Sequence, residues 1–261
     1  MTIRVGVFGA AGRMGATVCA AVAADPALEL VAAVDPRAEG QALLGVHGAE
    51  HLVMAATPGA LTDAGAAVAV DFTALDAARA NASWSAAHGV HAVIGTTGFT
   101  DEHLDELRRA FTASNCLVAS NFAIGAVLMM RFAEQAAPYF ETAEIIELHH
   151  DAKVDAPSGT AMATARRMAA ASADWAADPT TRTVAEGARG GAGAAGIRVH
   201  SVRLRGLVAH QEVLLGTLGQ TLTIRHDSYD RESFMPGVLL AVKRVAEHRG
   251  LTVGLDGYLT A

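Results

Sequence analysis

Three glycines constrain the first third of this chain. Gly9, Gly12 and Gly15 of GAAGRMG lie between the apolar run IRVGVFGA (residues 3–10) and RMGATVCAAVAAD (13–25), and the next apolar run, ELVAAVD (29–35), ends on Asp35. Short apolar runs without alternation read as strands buried on both faces, and the alanine-rich stretch between them reads as a helix. A chain passing from strand to helix here needs a tight turn at Gly9, close backbone approach at Gly12 and close helix packing at Gly15. The helix start then offers N–H groups to a pyrophosphate, and an acid at the end of the second strand meets a ribose. Strand, glycine loop, helix and acid in register predict a Rossmann-type dinucleotide site; the plainer alternative is a tight turn with coincidental glycines.

The alternation continues through VAVDF (68–72), an alanine-rich helix (74–87), HAVIGT (91–96), a helix over 101–114 and CLVAS (116–120). Strands and helices in strict turn predict an α/β fold with a parallel sheet covered on both faces. After Asn121 the texture changes: a long apolar helix (122–140), a strand AEIIELHH (143–150), a helix from Ser158, and EGARGGAGAAG (186–196), which reads as a mobile loop. Strands follow at 197–204, 210–216 and 220–227, the last two joined by a short turn, so a separate and partly antiparallel sheet is expected. The tail (235–255) reads as helix then strand and could return to the first domain.

Composition narrows the function classes. Twenty basic against 27 acidic side chains give a net charge of −7, without a Lys/Arg block suited to a phosphate backbone, so nucleic acid is not an expected partner. No apolar run approaches the roughly 20 residues needed to span a bilayer, and the start runs directly into a strand pattern without a signal-peptide texture, so a cytoplasmic protein with no membrane partner is expected. Cys19 and Cys116 stand alone in apolar stretches and read as buried thiols.

Asp35 favours NAD, since a carboxylate there accepts hydrogen bonds from a ribose and repels a 2′-phosphate. Arg13 and Arg37 stand near enough in sequence to neutralise that phosphate, so NADH and NADPH both stay open. GTTG (95–98) follows a strand at the carboxyl edge of the sheet, where its backbone and Thr96 or Thr97 could meet the nicotinamide end; a plain strand-to-helix turn is the competing reading.

The densest polar chemistry lies in ELHHDAKVDAPSGTA, residues 147–161. His149 and His150 end a strand, Lys153 lies in the following loop, Pro157 fixes the entry to a helix and Ser158 is placed to cap it. Exposed Gly159 and Thr160 at that helix start suit a carboxylate. One helix end, one lysine and two histidines fit a small dianion undergoing a proton-coupled step near neutral pH. A capped helix beside two structural histidines is the alternative. Zinc is disfavoured, because adjacent histidines on a strand point to opposite faces, and no metal site is expected. Asp151 reads as a solvated loop charge and Asp155 as a turn or cap residue.

GAAGRMG, DFT (71–73), GTTG, ASNFAIG (119–125), HHDAKVDAPSGTA (149–161) and HSVR (200–203) resemble, in order and over nearly the whole chain, the pattern of bacterial dihydrodipicolinate reductases, also called 4-hydroxy-tetrahydrodipicolinate reductases. Residues 202–216 are similar to the actinobacterial branch. The resemblance implies a Rossmann-type parallel-sheet dinucleotide-binding domain (1–123 and 235–261) plus an α+β substrate-binding and tetramerisation domain with a mixed sheet (124–234). It implies an NADH- or NADPH-dependent reduction of a small dicarboxylate, 4-hydroxy-2,3,4,5-tetrahydrodipicolinate, with loss of water, in the diaminopimelate route to lysine, by a homotetramer. By the same resemblance His149 matches the proton donor/acceptor, Lys153 the second proton donor, and His150, Gly159 and Thr160 the substrate contacts. Gly9, Ala10, Ala11, Gly12, Arg13, Met14, Asp35, Gly95, Thr96, Thr97, Ala119, Ser120, Asn121 and Phe122 match the cofactor contacts. Departures are small: Asp151 and Ala152 stand where some members carry basic residues, and Ser120 replaces a usual Ala or Pro. Two rival readings are another Rossmann reductase of amino-acid metabolism, aspartate-dehydrogenase-like, and a non-catalytic NAD-binding sensor; neither needs His149, Lys153 and the Ser-Gly-Thr turn together.

Overall fold

The computed structural model describes residues 2–259. The chain divides into two compact units, one formed by residues up to Ile124 and from Phe234 onward, the other by Gly125–Ser233.

The first unit is built on β1 (Ile3–Phe8), α1 (Arg13–Ala24), β2 (Leu28–Val34), α2 (Gly59–Asp63), β3 (Val68–Asp71), α3 (Leu75–Ala87), β4 (His91–Ile94), α4 (Asp101–Ala110) and β5 (Cys116–Val118). Its strands lie in the order β2-β1-β3-β4-β5, every neighbouring pair parallel. Consecutive parallel strands need crossovers, and the helices supply them while covering the sheet. The order reverses between β1 and β3, so the carboxyl ends of these two strands flank the crevice where such sheets hold ligands. On one face Phe8, Val34, Ala69 and Leu61 are buried together, and toward the other end Ile94, Val118, Leu107 and Phe111 form a second apolar cluster. Cys19 and Cys116 are both unpaired and fully buried, and burial pushes the Cys19 thiol up to about 12.

The second unit opens within α5 (Ile124–Ala136), one residue after the helix begins. This helix is shorter than the apolar pattern suggests, because Pro138 has no N–H to continue it and the chain tightens into a turn over Ala137–Tyr139. Then come β6 (Thr142–His149), α6 (Gly159–Ala171), β7 (Gly191–Ala192), β8 (Arg198–Arg203), β9 (Ala209–Thr217) and β10 (Gln220–Ser228). The strand order is β10-β9-β6-β8-β7, with β6 and β8 parallel and all other pairs antiparallel. Residues 186–196, read from sequence as loop, include the short strand β7, whose Gly191 and Ala192 pair with Val199 and Arg198. One face of the sheet packs on α6: Val199, Val213, Leu215, Ala165 and Met168 are buried, and Gln211 Nε2 donates to Thr164 Oγ1 at 2.8 Å.

The chain then returns to the first unit. α7 (Met235–Arg244) packs beside α1, and β11 (Leu251–Val253) joins the first sheet in parallel with β5. Asn115 fastens this return: its Nδ2 donates to the carbonyls of Val245 and Ala246, and its Oδ1 accepts from the Gly250 N–H. Among the described residues no helix is long and apolar enough to cross a membrane, and no cluster of three or more His, Cys, Asp or Glu is placed to hold a metal ion.

Candidate active site

In the first unit the glycine loop takes the form that a dinucleotide requires. Gly9 lies at φ +68°, where a side chain is strained, and its amide donates to the Val34 carbonyl at 2.7 Å, turning the chain back over β2. A Cβ on Gly15 would lie 2.0 Å from the Gly9 carbonyl oxygen, so α1 can seat against the loop only with glycine there. Gly12 caps α1 without a side-chain hydrogen bond, and the first turn carries no acidic residue. Its amides are therefore oriented for an anion. Ala10 is buried, while Ala11, Gly12 and Arg13 are exposed and Met14 is half-buried.

Asp35 follows β2 and is half-buried. Its Oδ2 accepts from the Ala11 N–H at 3.2 Å and its Oδ1 from the Arg37 N–H at 3.1 Å, which fixes the carboxylate beside the glycine loop. The side chains of Arg13 and Arg37 lie on exposed residues.

The ends of β3, β4 and β5 are tied together. Asp71 is buried and accepts from the Thr73 N–H, the Thr73 hydroxyl and Asn81 Nδ2. Thr96, beside Gly95, is also buried, and its hydroxyl donates to the Thr73 carbonyl at 2.8 Å. That hydroxyl braces the neighbouring loop, whereas Thr97 is exposed. Ala119 is buried with its N–H on the Ile94 carbonyl, Ser120 is exposed, and Asn121 Oδ1 accepts from the Ala123 N–H. The Phe122 side chain is a core group, 1% exposed, with its ring 5.5 Å from that of Phe72.

The second unit gathers the polar stretch around the end of β6. His149 is its last residue, and its Nδ1 lies 2.5 Å from Oε2 of Glu147. Glu147 is completely buried. Burial pushes its carboxyl up, but hydrogen bonds from Arg203, Ser201 and His149 outweigh burial and hold it below the usual glutamate range. His149 is held below the usual histidine value, chiefly by burial and further by the charges of Lys153 and Arg203, against the opposing pull of Glu147. At neutral pH the ring is therefore mostly neutral, and a hydrogen bond to a carboxylate places its proton on Nδ1. The opposite nitrogen, Nε2, is left for proton exchange.

His150 is exposed; its N–H donates to the Val208 carbonyl and its carbonyl accepts from the Lys153 N–H. The Lys153 ammonium contacts both carboxylate oxygens of Asp155, at 2.7 and 2.8 Å. Asp155 lies in a bend, as its position suggested, and is in addition the partner of the lysine, because the loop folds back on itself after His150. That ammonium holds the Asp155 carboxyl below its usual range. Asp151 is an exposed loop charge, as expected, and pairs with exposed Arg205.

Ser158 caps α6 as its position predicts: its hydroxyl accepts from the Ala161 N–H at 3.2 Å. Its own N–H donates to Glu147 Oε1 at 3.1 Å. The first intrahelical bond runs from the Met162 N–H to the Ser158 carbonyl, so the amides of Gly159 and Thr160 precede it and point out of the helix end. A Cβ at Gly159 would meet nothing within 4 Å, which leaves the helix start open to a ligand. Strand end, lysine loop and helix start thus form one polar cluster with a positive helix end, one ammonium and one orientable imidazole.

The family described as "Dihydrodipicolinate reductase, N-terminus" matches residues 3–122, and "Dihydrodipicolinate reductase, C-terminus" matches residues 125–259. The chain belongs to the dihydrodipicolinate reductase family. Among its relatives, the 4-hydroxy-tetrahydrodipicolinate reductase of Nocardia farcinica is 54% identical over 265 residues, covering 99% of both chains. That of Cutibacterium acnes is 52% identical over 264 residues, covering 98% of both. A solved structure, the dipicolinate-bound dihydrodipicolinate reductase from Paenisporosarcina sp. TG-14, superposes with a TM-score of 0.86 at 40% identity, covering 99% of this chain and 100% of the other. The first unit of this family member is accordingly a dinucleotide-binding Rossmann domain for a nicotinamide cofactor.

Two residues of the polar cluster escape a motif reading of this reductase-family chain. Glu147 and Arg203 both sit in the quoted stretches without an assigned task. The available signal was strand alternation: residues two apart on a strand share a face, so Glu147 belongs with His149. Arg203 could be joined to them only through register, since it stands opposite His149 in the parallel β6–β8 pair.

Proposed function

We propose that this chain is a 4-hydroxy-tetrahydrodipicolinate reductase, which converts 4-hydroxy-2,3,4,5-tetrahydrodipicolinate to tetrahydrodipicolinate with loss of water in the diaminopimelate route to lysine. The observation that carries this reading is the cluster of His149, Lys153 and the first turn of α6, a constellation suited to a dianion that must gain a proton. Full-length relatives that bear this enzyme's name support it.

The residues of the glycine loop, with Asp35, would hold the nicotinamide dinucleotide, which when bound supplies hydride to C4 of the conjugated cyclic imine left by water loss. The amides of Gly159 and Thr160 and the Thr160 hydroxyl receive one substrate carboxylate at the positive end of α6. His150 adds a second polar contact. Lys153 exchanges Asp155 for the substrate and stabilises negative charge developing over the imine and its carboxylates, where electrostatic help lowers the barrier. His149, held by Glu147 through Nδ1, takes up a proton from solvent on Nε2 and passes it to C3 of the resulting enamine, which returns the ring to its neutral Nδ1–H form.

Asp35 supports NADH as a cofactor at least as effective as NADPH, with Arg13 or Arg37 admitting the latter. β10 supports a homotetramer: it is an edge strand, exposed along Gln220–Thr223, and a monomer would leave that edge open to pairing. A biosynthetic role of this kind places the enzyme in the cytoplasm.

The deciding experiment couples the chain to the upstream synthase, which makes the unstable substrate in place, and follows NADH and NADPH absorbance. Synthase-dependent loss of absorbance is expected; loss with aspartate-type substrates instead, or none at all, would overturn the reading in favour of a related dehydrogenase or a sensor. Sedimentation at micromolar concentration tests the assembly, where a monomer would refute the tetramer.

A further inference from the structure

The carboxylate of Glu147 takes more donors than a structural role needs. Its Oε2 accepts from His149 Nδ1 and from Arg203 Nη1 at 2.9 Å; its Oε1 accepts from Arg203 Nη2 at 2.9 Å and from the Ser158 N–H at 3.1 Å. Arg203 Nη2 also donates to the Asp155 carbonyl at 2.7 Å. A buried ion pair gains little stability over an apolar pair of similar volume, because desolvation cancels most of the attraction. Besides Ser201 and the Val202 carbonyl on β8 itself, this pair reaches three further groups, each in a different piece of the cluster: His149 on the strand end, Ser158 at the helix start and Asp155 in the loop, whose carboxylate holds Lys153.

We propose that Glu147 and Arg203 are positioning residues: Glu147 fixes His149 as the Nδ1–H tautomer with Nε2 toward the substrate, and Arg203, by its bidentate grip, neutralises Glu147 so that His149 is not held protonated. This rests on the reading of His149 as the proton-exchanging group. A lone buried carboxylate 2.5 Å from an imidazole would favour imidazolium strongly, and a fork-shaped guanidinium is the side chain that can cancel that charge while leaving one lone pair for the ring. The charged groups around His149 are Glu147 on its own strand, Arg203 on β8, and Lys153 in the following loop, whose charge Asp155 offsets. From β9 the residue opposite it is Ala209, which does not titrate.

Opposite charge changes on the two partners should therefore move His149 in opposite directions, which a merely structural pair would not do. The test is a titration of full-length protein carrying 13Cε1- and 15N-labelled histidine, with the His149 resonance identified by its absence in His149→Gln. In wild type the nitrogen shifts should report the Nδ1–H tautomer. Glu147→Gln should lower the His149 midpoint and Arg203→Met should raise it, each by roughly 1 pH unit or more, as expected for a charge within hydrogen-bonding distance. Arg203→Lys, which keeps the charge, should stay near wild type. Turnover should fall at least about tenfold in Glu147→Gln with a smaller change in KM, less than the loss on removing His149 itself.

An Nε2–H tautomer in wild type, or midpoints that move together or stay still, would overturn the proposal. Should Glu147→Gln not fold, an Arg203→Met midpoint at or below that of Arg203→Lys does the same. The titrations need no substrate, so failure of the reductase assay and failure of this pair are separate outcomes.

Discussion

Lys153 holds both oxygens of Asp155, with its ammonium 2.7 Å from Oδ1 and 2.8 Å from Oδ2. Asp155 is well exposed, so the pair is of the solvent-screened kind, worth about 0–1 kcal/mol. A dicarboxylate can displace it at small cost. Asp155→Asn should then tighten inhibition by an added substrate-like dicarboxylate by up to about fivefold, the equivalent of 1 kcal/mol. Steady-state inhibition constants check this; weaker inhibition in the variant would mean that Asp155 aims Lys153 at the substrate instead of competing for it.

His149 and Lys153 should act on the chemical step, and Thr160 on binding. His149→Gln and Lys153→Ala are expected to lower turnover on the order of 10²–10⁴-fold. Thr160→Val should mainly raise KM, since one hydrogen bond to a bound carboxylate is worth about 1.5–3 kcal/mol. NADH affinity, measured separately, should be unchanged in all three. Wild-type turnover with weakened substrate binding in both His149→Gln and Lys153→Ala would reduce the cluster to a binding loop.

Asp35 faces the glycine loop through the Ala11 amide. Asp35→Ala should raise KM for NADH more than for NADPH, because a carboxylate in this position would accept from the ribose 2′-hydroxyl, which carries a phosphate in NADPH. An equal rise for both cofactors would argue against a ribose contact.

Acid should loosen the second unit through Glu147. Its folded value lies below the ordinary glutamate value of 4.5, so the unfolded state takes up the proton first as pH falls. The stability this group contributes is complete above that ordinary value and is lost as pH drops through the lower, folded value. Urea midpoints of wild type should decline with falling pH below about 4.5, and the decline should be shallower in Glu147→Gln. Equal slopes in the two proteins would show that Glu147 is not depressed by its partners.

Much of this molecule was readable before folding was considered. The β1–α1–β2 turn was legible because Gly9, Gly12 and Gly15 answer to local steric demands, and the Ser158 cap because its acceptor and donor lie three residues apart. What escaped depends on partners distant in sequence. Gly191 and Ala192 have no intrinsic strand preference and form β7 only because β8 offers an edge. The helix expected over 101–114 stops at Ala110, where Phe111 turns into the core. Arg203 lies 56 residues from Glu147, beyond the reach of any spacing rule.

The return of β11 to β5 also fixes an order of events at the ribosome. All strands of the second sheet have been synthesised by Ser228, whereas the first sheet waits for Val253. Until then β5 has an uncovered edge, and Asn115 lacks the Val245, Ala246 and Gly250 backbone groups that satisfy it. Nascent chains therefore carry a finished second sheet before they carry a finished first one, and the exposed edge of β5 is the place where crowded or stalled synthesis would invite mispairing.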